Sequence, residues 1–388
     1  MSSFTNLLFK NLFKVRTYNQ KRLLRGALLI AVIMIPLNVA LLFTDGMISS
    51  ITQKYITLSD GHIQIYDKEF ILDDSSIISG DYVVTGGAII YSKEATKEVK
   101  IKGVDTSYFN KERIKEIKIN GPTVEKSTNL PSIMISSELS KELGVGIDDR
   151  VAFMLLPDPS EKRVRPLLAQ ISSIYSSGYS ELDSRLIFMN ISDGEKLFTK
   201  SGYWELLVDG DLNKALINLE KINDKVLQYS TWDQFNISVY QNFITSRQVI
   251  FLILVLILLV AAVYIASIAQ QMVQDSLKEI AILKMVGSTN KELFSFYFGS
   301  TMLTVGLGTV VGSLVGILIG LNMGPVLTYL SSKEIPFLNY YLLEFDLKVN
   351  WGDLIKIVVT MGLIATTTLY LSLQGIKKIS PLHLLQQK

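Results

Sequence analysis

The side chains that most often do chemistry are scarce in this chain. Its 388 residues include no cysteine and two histidines, His62 and His383, so thiolate nucleophiles, disulfides and cysteine-bound zinc are closed to it. The topology derived below puts the two histidines on opposite sides of a membrane. They cannot share a metal, and each reads as a structural or solvated imidazole. The acidic pairs Asp73-Asp74 and Asp148-Asp149 stand beside turns with no base or nucleophile at a telling spacing, which makes solvated carboxylates the default. No G-x-x-x-x-G-K-[ST] occurs. The nearest stretch, Gly287-Ser288-Thr289-Asn290-Lys291, lacks the phosphate-cradling pattern, so ATP binding by a P-loop is excluded. No catalytic residue and no metal site is expected, and no basic stripe interleaved with aromatics points to nucleic acid.

What the residues can build instead is surface. Between Gln274 and Phe294 the run Asp275 to Lys284 is strongly helical, and Gly287 supplies a C-cap. Ile280, Leu283 and Lys284 share one face of that helix, with Glu279 and Ile282 on its flank beside Lys278. Such a helix offers apolar and charged groups to a soluble partner, and a helix resting on lipid headgroups would look the same. A second surface is the glycine row Gly308, Gly312, Gly316 and Gly320, one residue every fourth position, which strips side chains from one helical face. Helix packing explains that row, and a sliding surface is also compatible with it. A third is the loop Pro157 to Arg165, where Pro157 and Pro159 limit the backbone and Lys162, Arg163 and Arg165 present positive charge.

The elements that position these surfaces are set by hydropathy. The chain is 48% hydrophobic and 19% charged, too apolar for an ordinary soluble protein. The excess sits in four runs, each near the roughly 20 residues that span a bilayer as helix. The first 25 residues carry Lys10, Lys14, Arg16, Lys21, Arg22 and Arg25 without an acidic residue, and Lys377, Lys378 and Lys388 follow the last run. The positive-inside rule then puts both termini in the cytoplasm. The first run is longer than a signal h-region and lacks a clear cleavage site, so it reads as an uncleaved anchor interrupted by Pro36. The expected order is a cytoplasmic segment 1–26, a transmembrane helix 27–44, an outer domain 45–248, a helix 249–270, a cytoplasmic connector 271–293, a helix 294–321, a short outer segment 322–353, a helix 354–374 and a cytoplasmic tail 375–388.

The outer domain reads as mixed α+β. A helix continues from Met47 to Leu58, and strands are expected at 62–66, 82–91 and 99–104, with breaks at Gly86-Gly87 and Asp105-Thr106. Ser136 to Leu143 is an amphipathic helix ending at Gly144, followed by strands at 150–156 and 167–175. Trp204 to Val208, a helix from Leu212 to about Leu227 and a strand from Ser230 form a β-α-β unit. The fold class is thus an integral membrane α-helical protein with four transmembrane helices and a large α+β periplasmic domain.

The connector Lys278-Glu279-Ile280-Ala281-Ile282-Leu283-Lys284-Met285-Val286-Gly287-Ser288-Thr289 resembles the coupling helix of the MacB, FtsX and LolC/LolE class of ABC transporter permeases. Ser136 to Val145 with Asp149-Arg150-Val151, Ile174 to Ser184, Thr231-Trp232 with Asn236, and Ile379-Ser380-Pro381 resemble the lipoprotein-releasing branch, LolC/LolE. The resemblance implies a multi-pass permease of the bacterial inner membrane. Lys278, Glu279, Ile280, Ile282, Leu283, Lys284 and Gly287 would engage a separate ATPase subunit that binds ATP and magnesium, leaving this chain without a cofactor. It implies a second permease, identical or homologous, and a lipoprotein drawn from the membrane and passed to a periplasmic carrier. Pro157, Pro159, Lys162, Arg163 and Arg165 fall where the branch has its carrier-docking hook. Removing acyl chains costs roughly 0.8 kcal/mol per CH₂, so an apolar reception surface is needed. Val32, Ile35, Val39, Leu42, Ile253 and Ile257 can supply one, and the same residues also suit lipid contact or bundle packing. An FtsX-like signalling permease that activates a cell-wall hydrolase, and a MacB-like efflux permease, are the alternatives.

Overall fold

Four helices of the computed structural model are long and apolar enough to cross a membrane: Leu24–Asp60, Ile237–Asp275, Asn290–Leu321 and Trp351–Ile376. The structure describes residues 18–67, 69, 71–74, 76–124, 130–155, 166–198, 202–223, 226–324, 326, 329 and 350–378. The loop Pro157 to Arg165, the basic residues Lys10, Lys14 and Arg16, His383, Ile379 to Pro381 and most of 322–353 lie outside the described residues. The chain divides into two compact units, one of Met1–Met47, Ile244–Pro325 and Asp346–Lys388, the other of Ile48–Phe243 and Val326–Phe345.

Each membrane helix outruns its apolar stretch, and local caps explain where three of the four begin or end. The first is α-helical over Tyr18–Lys54, passing through Pro36, and closes in a π-helical turn Tyr55–Asp60 that Gly61 ends at φ 72°. The third starts at Asn290 and not at 294, because Thr289 and Glu292 form a reciprocal capping box. The fourth starts at Trp351 and not at 354, because the Asn350 side chain accepts from Gly352 N. The buried core of the first unit draws Ile30 and Met34 from the first helix and Leu258, Ala261 and Ile265 from the second. Val305 comes from the third, and Met361, Ala365 and Leu369 from the fourth.

The second unit is built on strands β1 (Ile63–Ile65), β2 (Ile77–Tyr91), β3 (Thr96–Val104), β4 (Lys118–Asn120), β5 (Ser132–Ser136), β6 (Arg150–Leu155), β7 (Leu167–Ser176), β8 (Leu186–Asn190), β9 (Gly202–Val208) and β10 (Tyr229–Thr231). Six of them close a ring. β2 pairs with β3, β3 in parallel with β8, β8 with β5, β5 in parallel with β7, β7 with β6, and β6 returns to Ala88–Tyr91 of β2. Closure removes exposed sheet edges from this part of the domain. Its interior holds Ala88, Ile90, Ile101, Ile135, Phe153, Ile171 and Met189. The first half of the 15-residue β2 leaves the ring to pair with β9, from which β1 and β10 extend an arm. The helix Leu212–Asn223 covers that arm, packing Ala215, Leu216 and Leu219 on Ile63, Ile65 and Leu206. β9 and β10 both run antiparallel to β1, so the expected β-α-β unit exists with β1 inserted between its strands.

Three local expectations are corrected here. Gly86-Gly87 do not break β2. The Phe198 ring lies where a Gly86 side chain would stand, so the glycine makes room for a close contact inside a continuous strand. The helix from Leu212 ends at Asn223, before Leu227. The strand around Ser230 stops at Thr231, whose capping box with Gln234 starts the helix Trp232–Phe235.

Candidate functional site

The connector between the second and third membrane helices folds as a separate short helix, Leu277–Met285. Ser276, at φ -97° and ψ 13°, ends the long helix before it. Its C-terminus is closed by two bonds, Gly287 N to Lys284 O at 3.2 Å and Ser288 N to Leu283 O at 2.9 Å. That is the Schellman pattern, and Gly287 sits at φ 103°, a conformation that favours glycine. The capping box of the third helix follows at once, so both ends of the turn are pinned.

The helix turns a different face outward than the spacing predicts. Ile280 is fully buried in the helical core, and Leu283 packs partly against that core. The Lys284 ammonium donates to Ile376 O at 3.0 Å. These three therefore hold the connector onto its own bundle, because the apolar stripe of a short helix is drawn first to the nearest apolar wall. The exposed side is formed by Lys278, Glu279 and Ile282, joined by Met285 and Val286, which sequence reasoning did not single out. Val286 is 81% exposed. With Ile282 and Met285 it leaves three apolar side chains exposed around a pinned turn.

The glycine row of the third helix faces the first helix. A Cβ added at Gly308 would lie 2.5 Å from Ala27 O and 2.9 Å from Ile30 Cβ. At Gly312 it would lie 2.7 Å from Ala31 Cα, Ala31 O and Met34 Cβ, and at Gly316 3.0 Å from Asn38 Cβ and Ile35 O. At Gly320 it would meet Leu42 Cδ1 at 2.8 Å. Backbone thus approaches backbone at Gly308, Gly312 and Gly316, the close fit that small residues permit in a membrane. Asn38, fully buried at this contact, donates from Nδ2 to Met34 O at 2.7 Å and to Ser313 Oγ at 3.3 Å.

Of the residues proposed for acyl-chain reception, Val32, Ile253 and Ile257 are exposed, and Ile35 and Val39 are half-buried. Leu42 is a correction. It is fully buried against Gly320, where the missing side chain leaves a socket for it, and presents no surface.

Sequence reasoning missed a buried charge cluster in the second unit. Lys102, Arg113, Glu205 and Tyr108 are all fully buried. Glu205 pairs with Lys102 and, at 3.1 Å, with Arg113, which also holds Asp81 at 2.6 Å. The cations bind the carbonyls of the π-helical turn as well. Arg113 Nε donates to Thr57 O at 3.0 Å and Lys102 Nζ to Ser59 O at 2.8 Å. Cations at a helix C-terminus complement its dipole. Burial pushes the Lys102 ammonium down to about 8, against the opposing pull of Glu205. The alternation Val99, Ile101 against Lys100, Lys102 is visible in β3, and it suggests outward lysines. Only the turn laid over β3 makes Lys102 interior. His62, expected to be structural or solvated, accepts from Val208 N at 3.1 Å through Nδ1, and burial holds its pKa below the ordinary value.

Against known proteins, residues 251–381 match the family described as FtsX-like permease C-terminal. The lipoprotein-releasing system transmembrane protein LolC of Xylella fastidiosa is 24% identical over 250 residues, covering 61% of this chain and 60% of that protein. LolC of Haemophilus influenzae is 25% identical over 215 residues, covering 52% of this chain and 53% of that one. The alignments thus span less than two thirds of these relatives' own length. Among solved structures, the extracellular domain of the noncanonic ABC-type transporter YknZ from Gram-positive bacteria matches at 8% identity and a TM-score of 0.27, covering 40% of this chain and 82% of that one. A likeness so slight carries no weight. The sequence matches do: residues 251–381 are similar to the FtsX-like permease C-terminal family, and LolC-type permeases are similar over 52–61% of the chain, which supports the LolC/LolE and FtsX type of ABC transporter permease.

Proposed function

We propose that this permease extracts lipoproteins from the bacterial inner membrane and hands them to a periplasmic carrier, powered by a separate ATPase subunit and completed by a second permease. The observation that carries the coupling is the outward face of the connector helix, where Glu279, Ile282, Met285 and Val286 stand exposed beside a doubly pinned turn. An ATPase groove that covers this face gains apolar burial at Ile282 and Val286 and an ion pair at Glu279 or Lys278. The pinning means that a push on the turn reaches the third helix directly through its capping box. The lipoprotein assignment is supported by the names of the LolC relatives. In this reading the connector is cytoplasmic, the domain 48–243 is periplasmic, and the loop Pro157 to Arg165 docks the carrier.

The experiment is lipoprotein-stimulated ATP hydrolysis by the reconstituted permease and ATPase. Ile282→Asp and Glu279→Lys should insert normally and lose stimulation, since each puts an unpaired charge into a groove that excludes water. Leu283 is a poorer probe, because it also packs on the bundle. Full stimulation in both variants refutes the docking face. ATP hydrolysis that never responds to lipoprotein refutes the substrate and favours a signalling permease.

A further inference from the structure

Where the apolar stretch of the first membrane helix ends and those of the second and fourth begin, the three enclose a cavity of about 460 Å³. Its apolar wall includes Leu41, Ile250, Phe251, Leu254 and Ile357. Such a volume falls in the roughly 300–1,000 Å³ range of small-ligand sites. Its rim carries four charges, and their arrangement is asymmetric. Arg247 pairs with Asp353 and, from Nε, with Asp45 Oδ1 at 3.3 Å, and Lys356 Nζ reaches Asp353 Oδ1 at 2.7 Å. The carboxylates lie behind, 14% exposed at Asp45 and 11% at Asp353, while Arg247 is 52% and Lys356 70% exposed. Asp45 Oδ2 is buried and accepts no hydrogen bond. The mouth therefore shows two cations, fixed in place by the carboxylates behind them.

We propose that this cavity is a phospholipid site. One acyl chain lies on the apolar wall, and the phosphate is held by Arg247 and Lys356. A guanidinium with an ammonium beside it matches a phosphate diester. The depth of the site fits as well, since the ends of the apolar stretches place the charges at the headgroup level and the wall below it. Arg247 and Lys356 stay largely exposed beyond their carboxylate partners, so a phosphate can accept from both where an acylated glycerol without phosphate cannot. The proposal stands independently of the lipoprotein assignment.

The test uses the full chain purified in mild detergent and a fluorescent phosphatidylethanolamine, with competition by unlabelled lipids. Wild type is expected to bind one probe per chain, displaced by phosphatidylethanolamine at least tenfold better than by diacylglycerol. Arg247→Gln with Lys356→Gln should weaken binding tenfold or more, and Thr44→Trp, which fills the cavity from a half-buried lining position, should abolish it. Far-ultraviolet circular dichroism and monodisperse elution verify folding. If the double variant fails them, Lys356→Gln alone serves, as its side chain is largely exposed. Absence of saturable binding, or equal binding by wild type and Thr44→Trp, overturns the site as bulk lipid only. Equal displacement by diacylglycerol or by a diacylglyceryl-cysteine peptide, with the charge variants unaffected, overturns the phosphate assignment and gives the cavity to an acylated substrate.

Discussion

Gly312→Ala isolates the contact between the first and third membrane helices with a single methyl group. The new Cβ would stand 2.7 Å from three atoms of Ala31 and Met34, two of them in the main chain. Ordinary carbon contacts lie at roughly 3.5–4.0 Å, so the first helix must withdraw by about 1 Å or bend. Over-packing of this kind costs about 1–3 kcal/mol. Alanine also favours the helix over glycine by about 0.5–1 kcal/mol, and the same helix supplies the control that removes this gain. Gly306 is exposed, and a Cβ there meets nothing within 4 Å. Gly306→Ala should be neutral to slightly stabilising, and Gly312→Ala should lie about 1–3 kcal/mol below it. Thermal unfolding of the full chain in one detergent, followed by circular dichroism, measures the gap. If Gly312→Ala unfolds at or above the temperature of Gly306→Ala, the two helices are not in backbone contact and the packing argument fails.

Further expectations concern the other unit, the topology and the loop. Glu205→Gln leaves Lys102 and Arg113 buried with less counter-charge and should cost about 3–5 kcal/mol, read by the emission of Trp204 and Trp232 during denaturation; a loss below about 1 kcal/mol would contradict the cluster. Lys102, depressed to about 8 from 10.5 by burial, binds its proton less well folded than unfolded. Its penalty is therefore full below about pH 8 and fades as pH rises toward 10.5. Stability of that unit should climb between pH 7 and 9.5, and an equal climb in Lys102→Met would remove the lysine as the cause. In this cysteine-free chain, Lys214→Cys should label in intact cells with an impermeant reagent and Lys278→Cys should not, and the reverse pattern would invert the topology. Alanine at Lys162, Arg163 and Arg165 should weaken carrier capture and its salt dependence while sparing basal ATP hydrolysis; unchanged capture would move docking to the second permease.

The membrane architecture was legible because apolar runs of bilayer length have no other outlet, and several terminators carried their chemistry in the residue type. Gly144 at φ 63°, after the helix Ser137–Leu143 capped by Ser136, is one of these. The ends of the membrane helices were not legible. Hydropathy marks where lipid begins, whereas Thr289 and Asn350 decide where the helix begins. The connector shows the same limit. Periodicity placed Ile280, Leu283 and Lys284 on one face, but the side on which the bundle lies is tertiary information. Lys102 alternates within its strand as a surface residue does, Glu205 is the one charged residue in an otherwise apolar strand, and only the chain laid across them makes them a buried pair.

The contact between the first and third helices has the geometry of a toothed rack. Ile30, Met34, Asn38 and Leu42 meet Gly308, Gly312, Gly316 and Gly320 in turn, and the helices run parallel, so the teeth on both sides share one pitch. Advancing the first helix by one turn, roughly 5.4 Å, would bring Ile30 to Gly312 and Met34 to Gly316, again an apolar side chain over a glycine. Shape alone therefore does not number the teeth. Asn38 does, since its amide finds Ser313 Oγ in one seating and would face a different residue in the next. The glycines thus give the contact its closeness, and the single amide of Asn38 gives it its register.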